Sequence, residues 1–333
     1  MSAIPAAAPD AAPARRIAYR VSLAAAIATF AVLVASAWLR HSLAGLGCAD
    51  WPACYGRIAS AIGGPPALLP GEGAARLVHR IAASSALILI GVIAFVLLKP
   101  KPAFVVERRL AFTALAIALA LAVVGLATPG ARVPAIAIGN LLGGFALFAT
   151  LAALTASLRD GVPRSDPGAG GDVILTIALV VTAVHVAVGG MIGAQFALTG
   201  CPASLDCPAA DFGRLAGSGI LDPLRALDVA HGRVRAPDGA AALVALHRIA
   251  SIAIAVLALA AAWRVREDRS LAAWIALATV AAVAMGAATT WLQPSVALTG
   301  AHNASAALLV AALAVAALPG PRVAPPPPSV RTT

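Results

Sequence analysis

Each half of the chain holds the same set of residues that could do chemistry. The set is two cysteines six positions apart, followed by a histidine in an apolar run: Cys48, Cys54 and His79 in the first half, and Cys201, Cys207 and His247 in the second. The first cysteines are offset by 153 residues and the histidines by 168, which indicates an internal duplication with a longer second loop. An ionisable ring in lipid is costly, so its repetition predicts a functional site.

The composition predicts an all-α integral membrane protein. Of 333 residues, 61% are hydrophobic and 11% charged, against about 45–50% and 25% in soluble domains. A helix needs about 20 mostly apolar residues to span a membrane. Eight runs qualify, four in each half: Val21–Leu39, Leu77–Leu98, Leu110–Thr128, Pro134–Ser157, Val173–Leu198, Ala241–Trp263, Leu271–Trp291 and Ala297–Leu318. The first run lacks a cleavage motif and is expected to be a retained anchor.

The distribution of basic residues predicts the topology. They concentrate in the loops after the second, fourth and sixth runs: Lys99, Lys101, Arg108, Arg109, Arg159, Arg164, Arg264, Arg266 and Arg269. The positive-inside rule makes these loops and both termini cytoplasmic, with the long loops 40–76 and 199–240 outside. The net charge of +10 therefore reflects topology and gives no nucleic-acid signal.

The same pattern divides the chain into five segments. We expect a disordered cytoplasmic N-terminus at 1–16, a first four-helix bundle at 17–158 and a cytoplasmic linker at 159–172. A second four-helix bundle follows at 173–318, and 319–333 is a Pro-rich cytoplasmic tail. The two bundles form a parallel repeat because each half has an even number of spans.

All four cysteines fall in the two outer loops, where disulfides persist. The expected bridges are Cys48–Cys54 and Cys201–Cys207, because six residues allow the Cα separation of about 4.4–6.8 Å that a disulfide needs. Free thiols or a metal pair are the alternatives, and one bridge could be redox-active.

The second half predicts a heme site. His247 and His302 come from alternate helices of one bundle at similar depth, the arrangement with which a bundle holds a cofactor between facing side chains. Arg248 could bind a heme propionate. The alternative for a single His is a hydrogen bond to a backbone carbonyl next to small residues, but two at matched depth favour ligation.

Three stretches together resemble the heme A synthase family. They are the loop Gly45–Gly56 with its Cys-x-Asp-Trp-Pro-x-Cys motif, the two His-Arg helices, and Ala301-His302-Asn303-Ala304. The resemblance implies two pseudosymmetric four-helix bundles in a bacterial inner membrane. The second holds heme b between His247 and His302, and the first oxidises a ring methyl of heme O to a formyl group, giving heme A for cytochrome oxidase.

The first half departs from that family at two positions. Asn140 stands where a second histidine is usual, and an amide is a poor ligand for iron. Arg76 stands where the family carries a glutamate, and Glu72 could replace it only if the helix extends that far into the loop. The resemblance then implies that His79 alone binds the substrate iron, that Asn140 hydrogen-bonds the bound species, and that Arg80 or Arg76 grips a propionate.

Other functions remain open at this stage. A relative that binds heme b for assembly or regulation without catalysis is the main alternative. A quinol-coupled cytochrome b would need hemes near opposite faces, and a transporter would not explain the cysteines. Heme O synthase, cytochrome oxidase assembly factors, membrane lipid and a second copy of the chain are the expected partners.

The three remaining histidines receive no function from the sequence. His41 is expected at the membrane interface, His185 as a core residue with its hydrogen bonds satisfied, and His231 in a loop.

Overall fold

The computed structural model describes residues 11–46, 55–56, 71–98, 104–128, 133–159, 172–201, 207, 211–292 and 294–318. Within them are eight long helices, each apolar enough to cross a membrane. They are α1 Ala11–Leu43, α2 Glu72–Val96, α3 Val105–Ala127, α4 Pro134–Arg159, α5 Val173–Ala194, α6 Ala240–Arg264, α7 Arg269–Trp291 and α8 Val296–Ala316. The predicted eight-span, all-α membrane protein is confirmed.

The first helix begins earlier than the sequence suggested. Because α1 starts at Ala11, the prediction of a disordered segment over 1–16 is wrong for residues 11–16, and residues 1–10 lie outside the described part of the chain. Alanine is the strongest helix former, and a proline such as Pro13 is tolerated in a first turn. Arg15 then fixes the start of the helix, since Nη1 lies 3.5 Å from Glu107 Oε1 and donates to the carbonyl of Ser157 at 3.2 Å.

The helices pack as two bundles that share a broad contact. In the first half α1 contacts α2 and α4, while α3 contacts α2 and α4. In the second half α5 contacts α6 and α8, and α7 contacts the same two helices. The halves join where α8 lies against α1 and α4, and α4 against α5. Leu151 and Leu154 of α4 are fully buried in one cluster with Val310 and Ala311 of α8, so this joint is an apolar core.

One face of the helix array carries ion pairs between helix ends. Arg15 and Glu107 join the start of α1 to the start of α3. Arg264 at the end of α6 binds Asp172 at the start of α5, with 2.7 Å between Nε and Oδ2. Asp172 also caps α5, because its Oδ1 accepts from the backbone N–H of Ile174 at 3.0 Å. The starts of α1, α3 and α5 and the end of α6 therefore lie at one face, as expected when successive helices cross the membrane in opposite directions.

The long loops of both halves meet at the opposite face. The second loop holds a 3-10 turn at Ala197–Gly200, a one-turn helix at Arg214–Gly217 and a short hairpin of β1 Val229–Ala230 and β2 Arg233–Val234. The N–H of Val234 donates to the carbonyl of Gly56 at 3.0 Å, and the Tyr55 ring lies 5.5 Å from that of Phe196. Burial raises the pKa of Tyr55 above its usual value.

The second loop also reaches the first bundle. The N–H of Ala135, in the first turn of α4, donates to the carbonyl of Pro223 at 2.7 Å. The side-chain amide of Gln195, at the end of α5, holds the same loop by donating to the carbonyl of Asp222 at 3.1 Å. The second-half loop therefore covers the outer end of α4, above the segment that carries Asn140.

Candidate functional site

Four helices present a candidate ligand at the same depth. His79 and His247 each lie seven residues after the first residue of α2 and α6, and Asn140 and His302 each lie six after the first residue of α4 and α8. All four helices start at the face where the long loops meet. With a rise of 1.5 Å per residue, the four positions lie roughly 10 Å below that face.

His247 and His302 face each other across the second bundle. Their ring centroids are 6.4 Å apart and the ring planes are nearly perpendicular, at 84°. His302 Nδ1 lies 2.9 Å from the carbonyl oxygen of Ala282 on α7. Because a carbonyl only accepts, Nδ1 carries the hydrogen, which leaves Nε2 of His302 as a lone-pair donor. A backbone carbonyl that fixes the tautomer in this way is the usual outer-shell partner of a metal-binding histidine.

Both rings lie directly over glycine backbone. A Cβ added at Gly189 would lie 3.1 Å from His247 Cε1, and a Cβ added at Gly286 would lie 3.1 Å from His302 Cε1. Any larger residue at either position would push the ring. These glycines allow α5 and α7 to come close enough to define where each imidazole lies.

His247 has a buried polar atom without a partner. Its Nδ1 is buried and makes no hydrogen bond within the described residues. Leaving such an atom unpaired costs about 1–3 kcal/mol. Within the described residues no hydrogen bond therefore fixes the tautomer of His247, so either of its ring nitrogens can act as a lone-pair donor.

The structure places His185 against a candidate ligand. Its ring stacks on that of His247, with centroids 4.0 Å apart and planes only 5° from parallel. The sequence predicts a core residue with its hydrogen bonds satisfied, and it does not predict this stack. The available signal was its spacing, because His185 and Gly189 are four residues apart and so lie on one face of α5.

His41 lies in the last turn of α1, and its place at the membrane interface stays a prediction. Its Nε2 accepts from Asn303 Nδ2 at 3.0 Å. Asn303 is the residue after His302, so this bond ties the outer end of α1, in the first half, to the turn that carries a candidate ligand. His231 lies in the hairpin turn between the two short strands, as expected for a loop residue.

Arg248 connects the candidate site to the second cysteine pair. The structure joins Cys201 to Cys207 in a disulfide with Cα atoms 5.5 Å apart. Arg248 donates from Nη2 to the carbonyl of Cys201 at 3.0 Å and from Nη1 to its sulfur at 3.2 Å. Arg248 thereby ties α6 to both the backbone and the sulfur of Cys201. The other pair, Cys48 and Cys54, lies outside the described residues.

The first half presents a sparser site. His79 and Asn140 are both partly buried, and within the described chain neither side chain makes a hydrogen bond. Helix α2 does extend to Glu72, which is buried and only 3% exposed. Arg76 Nε donates to Glu72 Oε1 at 2.9 Å. Glu72 and His79 are two turns apart and share one face of α2. The helix therefore extends far enough for Glu72 to lie on the face that carries His79.

The donor set of the second half suits heme iron better than a bare cation. Among the described residues, no group of three or more His, Cys, Asp or Glu side chains could hold a metal ion by itself. An iron already held by a macrocycle needs only axial ligands, and paired imidazoles from facing helices are one of the ways in which bundles supply them. His247 and His302 fit that requirement.

Comparison with known proteins decides the family. The model of the COX15-CtaA family, described as cytochrome oxidase assembly protein, matches residues 76–314, more than two thirds of the chain. The chain belongs to the COX15-CtaA family. A similar protein, named heme A synthase, comes from Shewanella oneidensis and is 26% identical over 314 residues, covering 86% of this chain and 91% of that protein. This COX15-CtaA protein is therefore a multi-pass membrane protein of cytochrome oxidase assembly, and its matched region contains His79, Asn140, His247 and His302 but not Glu72.

Proposed function

We propose that this protein is an oxidoreductase of the heme A synthase type, which oxidises a ring methyl of heme O to a formyl group to give heme A, with dioxygen as the oxidant and water as the other product (R–CH3 + O2 → R–CHO + H2O). Family membership and a relative named heme A synthase support the reaction class. The observation that carries the proposal is the pair of facing imidazoles, His247 and His302, 6.4 Å apart in one bundle of a repeated fold.

The second bundle would hold heme b as a resident cofactor. His247 and His302 would hold its iron, and the carbonyl of Ala282 would keep the hydrogen on Nδ1 of His302 so that Nε2 stays free as a ligand atom. When bound, heme b supplies electron transfer, and the protein supplies binding, orientation and an apolar surrounding. Arg248 directly follows His247 in the sequence, at the outer boundary of the membrane, where a guanidinium would meet a heme propionate.

The first bundle would hold heme O as substrate. His79 binds the substrate iron. Asn140, at the position of the second imidazole, hydrogen-bonds the species bound on the face of the porphyrin opposite His79. One strong ligand suits a substrate that must leave after reaction. Arg80 and Arg76 are both exposed and lie within one turn of His79, where either can meet a propionate.

Glu72 would replace the carboxylate that the family usually carries one turn closer to the histidine. It is buried, shares a face of α2 with His79, and is held by Arg76 from one turn further along the helix. Arg76 keeps the carboxylate in place and balances its charge. In this role Glu72 would accept a proton released as the methyl group is oxidised.

The proposed setting is a bacterial inner membrane with both termini in the cytoplasm. The ion pairs at the starts of α1 and α5 lie at the face that carries the basic loops, which the positive-inside rule makes cytoplasmic. Heme O arrives from a heme O synthase, and heme A passes to assembly factors of cytochrome oxidase. Both sites then lie toward the outer leaflet.

Expression in a host that makes heme O but no heme A tests this function. Extracted pigments should contain the formyl heme when the parent chain is present and none when His79→Ala replaces it. His231→Ala, in the hairpin turn, is the matched control and should behave as the parent. A parent chain that retains heme b yet yields no formyl heme would refute catalysis and select the non-catalytic assembly role.

A further inference from the structure

We propose that His185 is a positioning residue that fixes the ring of His247 for the heme iron. The proposal rests on the heme b site proposed above, and goes beyond it because His185 belongs to α5, a helix that contributes no ligand. The two candidate ligands are held in different ways, and that difference calls for a third residue.

Only one of the two ligand rings is oriented by a hydrogen bond. His302 donates from Nδ1 to the carbonyl of Ala282, which sets both its tautomer and its ring plane. The corresponding nitrogen of His247 is buried and has no such partner within the described residues. A ligand histidine normally needs an outer-shell contact to fix its orientation. The ring of His247 must therefore be held by packing.

Helix α5 supplies that packing from two residues on one face. His185 covers one flat side of the His247 ring at 4.0 Å with planes 5° from parallel. Gly189, one turn along, lies close to the ring edge, since a Cβ added there would be 3.1 Å from Cε1. The stack restricts rotation of the ring about its own side-chain bond, and the glycine backbone restricts its displacement toward α5. Together they do for His247 what the Ala282 carbonyl does for His302.

The same geometry argues that His185 is not itself the partner ligand. In a parallel stack at 4.0 Å the ring faces meet, so the nitrogen lone pairs, which lie in the ring planes, do not converge on a shared ion. The pair that stands apart with room between the rings is His247 and His302. His185 thus acts through His247 rather than on the iron.

The test compares three variants of the purified full chain loaded with its heme in the expression host. His185→Ala removes the ring, and His185→Phe keeps a flat ring without nitrogen. Val184→Ala is the matched control, since Val184 is the preceding residue of α5 and is 60% exposed on the outside of the bundle. Readouts are heme per chain, the rate of heme loss to a scavenging apoprotein, and carbon monoxide binding after reduction, which requires a vacated axial position.

We expect His185→Ala to lose heme about 10–100-fold faster than the parent, the range found when outer-shell partners of metal ligands are removed, and to bind carbon monoxide where the parent does not. His185→Phe and Val184→Ala should stay close to the parent. If His185→Ala matches the parent in all three readouts, the positioning role is wrong. If Ala and Phe both abolish heme as fully as His247→Ala, His185 is a ligand and the proposal is also wrong.

Failure of the heme assignment itself would look different. In that case the parent would carry no heme, or His247→Ala would keep it, whatever the behaviour of the His185 variants. If the parent holds a heme that is lost in His247→Ala while His185→Ala behaves as the parent, only the positioning role is refuted.

Discussion

Gly189→Ala should weaken heme binding although Gly189 is not itself a ligand. The added Cβ would lie 3.1 Å from Cε1 of His247 and 3.7 Å from each ring nitrogen. Ordinary contact begins near 3.4 Å, so the ring must move away from the added Cβ by about 0.3 Å. Overpacking of this kind costs about 1–3 kcal/mol, while replacing glycine in a helix returns about 0.5–1 kcal/mol.

The chain offers a control on the same helix. Gly193 is one turn further along α5, and a Cβ there meets nothing within 4 Å, so Gly193→Ala should leave heme binding unchanged. The assay is heme per purified chain together with the half-time of heme loss. We expect about tenfold faster loss for Gly189→Ala, which corresponds to about 1.4 kcal/mol, near the middle of the net range of about 0–2.5 kcal/mol. Equal heme retention in the two variants would refute the inferred packing of the His247 ring against α5.

Three further predictions address the links around the sites. His41→Ala should lower the free energy of unfolding by about 0.5–1.5 kcal/mol; thermal unfolding measures it, and a double variant with Asn303→Ala should cost little more than one change if the two side chains act as a pair. Cys207→Ser should cost roughly 2 kcal/mol, from the loop-closure entropy of a short bridge, and a reductant should then have no further effect on the second bundle. Glu72→Gln should leave heme b bound but lower the yield of formyl heme about 100-fold or more, whereas an unchanged yield would remove Glu72 from the proton path.

The sequence was sufficient for what depends on hydrophobicity and spacing. Eight apolar runs of the right length gave the eight spans, and the repeat placed His79, Asn140, His247 and His302 at one depth in the helices that carry them. Helix ends were less accurate. The apolar run of the first span began at Val21, whereas α1 begins at Ala11, because a helix continues beyond the apolar segment and hydropathy does not detect that extension.

Side-chain contacts between different helices could not be predicted from the sequence. The period of α5 puts His185 and Gly189 on one face but does not say which neighbouring helix that face meets, so the stack on His247 was missed. The bond from His41 to Asn303 joins residues 262 positions apart, a distance at which only the packing of the two halves decides proximity. From the sequence, Glu72 can replace the usual glutamate only if the second helix extends into the loop. In the structure α2 begins at Glu72.

The most direct test of the central claim is the absorbance spectrum of purified parent protein beside His247→Ala and His302→Ala. The account predicts a sharp Soret band and a narrow reduced α band for a six-coordinate heme in the parent, with heme lost or made reactive to carbon monoxide in each variant. A colourless parent protein, or a spectrum that survives both substitutions unchanged, would contradict it.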